Sequence, residues 1–214
     1  MRHPATTRRR DGTDADSGPA ELREIESRES TAIHLARWLA ACSLLYAGYR
    51  AYYAAGGTVG MIGVPVSQAQ FQRINAVGSL LILLFSVVLP LVTVHVRRFN
   101  RAVPVLGWIG AVGCAMHALV DVTLRVLSLT GQHPTELPAT FWRSFDRRTA
   151  DLQDLLLNEP WFLLVGLLWA ALALTFVHPR RRRPWVVSAV VACLLLSVVG
   201  VLSGLGLIGT VRVG

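Results

Sequence analysis

Polar residues dominate the first 30 positions, and five long apolar runs follow with short polar breaks between them. Runs of this length fit helices that cross about 30 Å of hydrocarbon at about 1.5 Å per residue. They fall at about residues 32–54, 74–96, 104–129, 155–177 and 185–208. Pro90 lies inside the second run and predicts a kink there. The fourth run counts only about 17 residues from Trp161, the low end of the spanning range. Leu155, Leu156 and Leu157 are therefore included, which takes Asn158, Glu159 and Pro160 into the membrane. The pattern predicts an all-α fold: an integral membrane bundle of five transmembrane helices with a disordered N-terminal tail.

The expected organisation is a cytoplasmic tail over residues 1–30, a helical membrane domain over 31–208 and a short C-terminus over 209–214. The tail holds too little apolar surface to offset ordering entropy, so disorder is expected up to about Glu21. It is not read as a cleavable signal peptide, because no apolar core follows Arg8, Arg9 and Arg10 within reach. From Glu21 to Arg37 a charged helix is expected to lead into the membrane. Between the third and fourth runs, Phe141, Trp142, Phe145, Leu152 and Leu155 roughly follow helical spacing, which predicts an amphipathic helix at the outer interface.

Composition agrees with this division. The chain is 53% hydrophobic and 16% charged, whereas a soluble domain carries about 25% charged residues. Every basic residue counted among Lys and Arg is an arginine, a bias that points to a GC-rich genome. The net charge of +8 does not indicate nucleic acid as a partner, because arginines beside apolar runs set orientation and meet anionic headgroups. The tail, the Arg97-Arg98-Asn100-Arg101 connection and the Arg180–Arg183 connection share one side. Opposite lie Arg73, Arg143, Arg147, Arg148 and Arg212, mixed with acids. The positive-inside rule then predicts a cell-membrane protein with the N-terminus cytoplasmic and the C-terminus extracellular.

Candidate chemistry collects near the outer side. All six acidic residues outside the tail lie between Asp121 and Glu159. Counted along their helices, Arg50, Asp121 and Glu159 reach one level, about 26 Å from the cytoplasmic edge. An isolated charge at that depth is costly, so Arg50 is expected to pair with Asp121 or Glu159. His117, Asp121 and Arg125 follow at i, i+4 and i+8 on one helix face, and His117 is placed to bond Asp121. Tyr46, Tyr49, Tyr53, Asn75 and Arg125 are expected to line the same chamber, which would suit a lipid or a hydrophobic small molecule. The competing reading of Arg50, His117, Asp121 and Glu159 is a polar clasp between helices.

Two stretches carry a family resemblance. Ala54-Ala55-Gly56-Gly57-Thr58-Val59-Gly60 follows the first run, and Asn158-Glu159-Pro160-Trp161-Phe162-Leu163-Leu164-Val165-Gly166 opens the fourth. Together they resemble a family of small, mostly actinobacterial, four-helix membrane proteins of unknown function. Its members show an aromatic-rich first helix ending in a GGTxG turn and a DPWFLLGG-like start to the last helix. This chain has Asn158-Glu159 in place of the Asp, Val165 in place of the first closing Gly, and Val59 where Trp is common. The resemblance spans about residues 35–177. It implies the membrane topology and no activity.

Other motifs carry less. The glycine turn is too short for a dinucleotide site and follows no strand, so its glycines are read as permitting a tight re-entry of the chain. Gly200 and Gly204 form a small-xxx-small face for close helix packing, within the monomer or in a homo-oligomer. Cys42, Cys114 and Cys193 each sit in an apolar run without CxxC spacing and are read as apolar filler. No metal site and no cofactor is expected, and no nucleophile elbow, P-loop, HExxH or CxxCH motif occurs. The leading functional reading is a non-enzymatic membrane protein that binds a lipid or hydrophobic small molecule. An isomerase or hydrolase using His117, Asp121 and Glu159 is the first alternative, and a transporter subunit the second.

Overall fold

The computed structural model describes residues 18–136 and 139–208. The expectations for residues 1–17 and for the C-terminal 209–214 lie outside these. Among the described residues the chain forms five long helices and one small two-stranded ribbon. Helix α1 spans Pro19–Ala54. It is followed by β1 (Gly63–Pro65), α2 (Gln68–His95), α3 (Val103–Leu129), β2 (Trp142–Phe145), α4 (Arg147–Phe176) and α5 (Pro179–Gly204). The all-α expectation holds.

Helices α2, α3, α4 and α5 are each long and apolar enough to cross a membrane. Of the five expected spans, α1 is the exception by composition, since it carries Arg37, Arg50 and all four tyrosines of the chain. Its 36 residues nevertheless make a rod of about 54 Å. It begins with a proline in its first turn, where the missing N–H costs nothing. The charged stretch Glu21–Arg37 is thus continuous with the first apolar run. Residues 19–30, expected as tail, are helical.

Pro90, where a kink is expected, and Pro160 are each preceded by a π-helical segment. Leu83–Val88 precedes Pro90 in α2, and Asp154–Asn158 precedes Pro160 in α4. Proline removes one backbone donor and crowds the carbonyl four residues earlier, and the wider π turn relieves both. The fourth and fifth helices also start earlier than their apolar runs, at Arg147 and Pro179. Arg180–Arg183 therefore form the opening turns of α5, not a separate connection.

The outward faces are apolar. Leu45, Phe85, Val105, Leu167 and Leu195 are each more than half exposed, a surface suited to acyl chains and not to water. Inside, Ala36 and Leu39 of α1 meet Val103 of α3 and Val165, Trp169 and Leu172 of α4 in a buried apolar core. Close approach of α3 and α4 depends on small residues. A side-chain carbon at Gly107 would stand 2.9 Å from the Trp169 carbonyl oxygen, and one at Gly166 would stand 3.3 Å from that of Ala111. On the other flank of α3, Gly200 and Gly204 of α5 receive Val120 and Leu124, where an added carbon would meet each at 2.6 Å. The face offered by sequence to a second copy is thus occupied within the chain.

At one end of the bundle β1 and β2 pair antiparallel, with Gly63 opposite Phe145 and Val64 opposite Ser144. The Ile62 carbonyl accepts from the Asp146 amide at 2.8 Å, and the Phe141 carbonyl accepts from the Val66 amide at 2.9 Å. Over Phe141–Leu155 the expected amphipathic helix is not formed as one element. Its first part is strand β2, and the rest, from Arg147, is the opening of α4. Asp146 caps that opening: its carboxylate accepts from the Thr149 amide and hydroxyl, which holds its pKa below the usual carboxylate range. This ribbon end lies opposite the arginine end, which holds Arg98, Arg101 and Arg180–Arg183.

Candidate functional site

A polar layer fills the bundle toward its ribbon end, and three groups of residues make it up. The first is a chain of hydrogen bonds and ion pairs from α1 to α3. The Tyr46 hydroxyl donates to Asn158 Oδ1 at 2.9 Å, and Asn158 Nδ2 donates to Asp154 Oδ1 at 2.6 Å. Arg125 Nε then stands 2.8 Å from Asp154 Oδ2, and its Nη1 donates to the Thr135 hydroxyl at 3.0 Å. Thr135 and Ser128 both donate to the carboxylate of Asp151, which is fully buried. The Tyr46 ring stacks on Trp161 with centroids 4.0 Å apart. Three helices are joined here without a gap in the chain of bonds.

The second group surrounds a cavity of about 170 Å³. Arg50, Tyr49, Tyr53, Asn75, Gln153 and Trp142 are among its lining residues. Arg50 has no ion pair within 4.0 Å among the described residues. Its guanidinium rests over Gly78 of α2, where an added side-chain carbon would come within 3.2 Å of Nη2. Asn75 donates to the Phe71 carbonyl, while its own carbonyl oxygen is buried without a hydrogen-bond partner. Gln153 donates to the Tyr49 hydroxyl, and its carbonyl oxygen is likewise buried without a partner. Asp154 and Asn158 complete the polar lining, so the walls hold one cation, one carboxylate and two amide groups whose carbonyl oxygens have no partner.

The glycine turn after α1 shapes the rim. Gly56 and Gly60 adopt φ of 94° and 77°, a region that favours glycine. The Tyr52 hydroxyl accepts from the amides of Thr58 and Val59, and the Tyr53 hydroxyl donates to the Val59 carbonyl at 3.1 Å. The turn is a structural bracket that fixes two tyrosines.

The third group lies between α3 and α4. His117 Nε2 stands 3.7 Å from Asp121 Oδ2 and 3.9 Å from Glu159 Oε1. These distances are beyond a direct hydrogen bond. The His117 ring meets Phe162 edge to face at 4.2 Å. Glu159 is 2% exposed, and its Oε2 has no hydrogen-bond partner.

The residues singled out by sequence are thus divided. His117, Asp121 and Glu159 converge. Arg50 does not join them: it lies in the neighbouring cavity with Tyr49, Tyr53 and Asn75, so its expected pairing with Asp121 or Glu159 is not formed. Tyr46 is buried behind the cavity wall, and Arg125 serves the acids of α4 and is not part of the cavity lining. Sequence reasoning missed Asp151, Asp154, Asn158, Gln153, Ser128 and Thr135. The signal was the spacing of Asp151, Asp154 and Asn158, which share a helix face once the helix is known to start at Arg147. No family model, no curated protein and no solved structure matches this chain.

Proposed function

We propose that the chain is a multi-pass membrane protein that takes the head of an anionic amphiphile into the Arg50 cavity. The observation that carries this is the half-buried guanidinium of Arg50, which lines the cavity without an ion pair. Asp154 shares the lining but is engaged by Arg125 at 2.8 Å, which leaves the Arg50 guanidinium to a phosphate or carboxylate that matches its fork at two points. The unpartnered carbonyl oxygens of Asn75 and Gln153 call for donors, which hydroxyls on the same head would supply. A cavity of about 170 Å³ takes a head group and not a whole lipid, since sites enclosing drug-sized ligands run to about 300–1,000 Å³. The acyl chain would then lie along the exposed apolar faces of the helices.

The arginine-rich end is assigned to the cytoplasm and the ribbon end to the outside, supported by the arginines that follow α2 and those in the opening turns of α5. The cavity then opens in the outer leaflet. Thermal unfolding in detergent tests the binding reading with short-chain phosphatidylglycerol against short-chain phosphatidylcholine. The anionic, hydroxyl-bearing head is expected to raise the transition temperature of the wild type and not of Arg50→Gln. Equal shifts by both lipids, or an equal shift in the variant, would contradict it.

A further inference from the structure

We propose that His117, Asp121 and Glu159 form a site for one divalent first-row transition-metal ion of the Zn²⁺ class. His117 and Asp121 stand one helical turn apart on a single face of α3, and Glu159 faces them from α4. One ligand atom from each lies within 4.8 Å of the others. In a tetrahedral site, metal–ligand bonds of about 2.0–2.2 Å place ligand atoms about 3.3–3.6 Å apart. Small rotations of the partly exposed His117 and Asp121 side chains close that difference while Glu159 stays fixed.

Glu159 supplies the independent sign of a ligand. It is 98% buried, with one carboxylate oxygen 3.9 Å from His117, no hydrogen-bond donor on its Oε2, and the Asp121 carboxylate beside it. A buried carboxylate left that way is costly, and a cation relieves it. No arginine pairs with it directly: Arg125 stands against Asp151 and Asp154 and reaches Glu159 only at longer range, and Arg50 pairs with neither Asp121 nor Glu159. Two carboxylates, a neutral imidazole and a divalent ion sum to zero charge, which suits the interior of a membrane span. The mixed nitrogen and oxygen set favours a transition metal over Mg²⁺ or Ca²⁺, which take oxygen ligands. Three protein ligands leave a fourth position open to water or to a small ligand. This site is separate from the Arg50 cavity and does not depend on the amphiphile reading.

The test uses the full chain in detergent, with any affinity tag removed and adventitious metal stripped by a chelator. Co²⁺ is titrated as the probe, its visible absorption reporting the ligand field, and Zn²⁺ is then added as competitor. Saturation at one Co²⁺ per chain with displacement by Zn²⁺ is expected. Glu159→Gln and His117→Ala should each weaken binding by at least about 100-fold, the upper end of what loss of an outer-shell partner costs. His133→Ala should leave it unchanged. His117 is 43% exposed, so its variant keeps the test valid should Glu159→Gln fail to fold. Absence of saturable Co²⁺ uptake would overturn the proposal. Uptake that survives both ligand variants would overturn it equally.

Discussion

Arg125 of α3 holds Asp154 of α4 at 2.8 Å, and the same guanidinium stands 3.7 Å from Asp151, less than one turn earlier on that helix. Asp151 is only 1% exposed at its side chain, so this contact ties two helices through a dehydrated charge. Removing the arginine leaves the two acids with only neutral donors, Ser128 and Thr135 on Asp151 and Asn158 on Asp154. Arg125→Met is expected to lower stability by about 3–5 kcal/mol, the range for breaking a buried pair on one side. Thermal or denaturant unfolding in detergent measures it. Combining Arg125→Met with Asp154→Asn should recover part of the loss, because one stranded charge is then gone.

Helix α3 meets α4 through Gly107, where the Trp169 carbonyl oxygen leaves no space for a side chain. Gly107→Val is expected to destabilise the bundle by about 1–3 kcal/mol, as overpacking does. Gly113, which has nothing within 4 Å of an added carbon, is the control site for the same substitution. A comparable loss at both positions would show that packing at Gly107 is not the cause.

Asp146 holds the first turn of α4 by accepting from Thr149, and those bonds depress its pKa. A depressed folded-state value means that the cap contributes above the ordinary carboxylate range and is lost as pH falls through the folded value. Hydrogen exchange at the Thr149 amide, corrected for its intrinsic rate, should therefore quicken on acidification. In Asp146→Asn that extra pH dependence should vanish, because the amide side chain does not titrate.

Topology is read by labelling single cysteines in a chain whose native Cys42, Cys114 and Cys193 are replaced. Ser144→Cys in the ribbon should react with an impermeant thiol reagent applied to intact cells, and Arg98→Cys should not. The reverse pattern would invert the bundle and move the Arg50 cavity to the cytoplasmic leaflet.

Much of this fold is legible in the sequence, for a physical reason. The third run, expected over about 104–129, is the helix Val103–Leu129, because an unbroken apolar stretch is dictated by its solvent. The ribbon is not legible, since β1 and β2 hold three and four residues and lie about 80 positions apart. No alternation can develop over so short a length. The candidate site was half legible. Counting residues along a helix gives height, and on that count alone Arg50, Asp121 and Glu159 share a level. It does not give azimuth. Arg50 turns toward Gly78 of α2, whereas Glu159 turns toward α3 and His117. Asp151 and Asp154 fall in the stretch expected as an amphipathic interfacial helix, and its polar spacing hides the start of α4 at Arg147.

Native mass spectrometry of the full chain, released from its own membranes without added lipid, tests the binding account most directly. The account predicts one bound amphiphile per chain whose head carries a phosphate or carboxylate, and loss of that species in Arg50→Gln. A bound species without an anionic group would contradict it, as would a chain that carries nothing or a variant that retains the same mass.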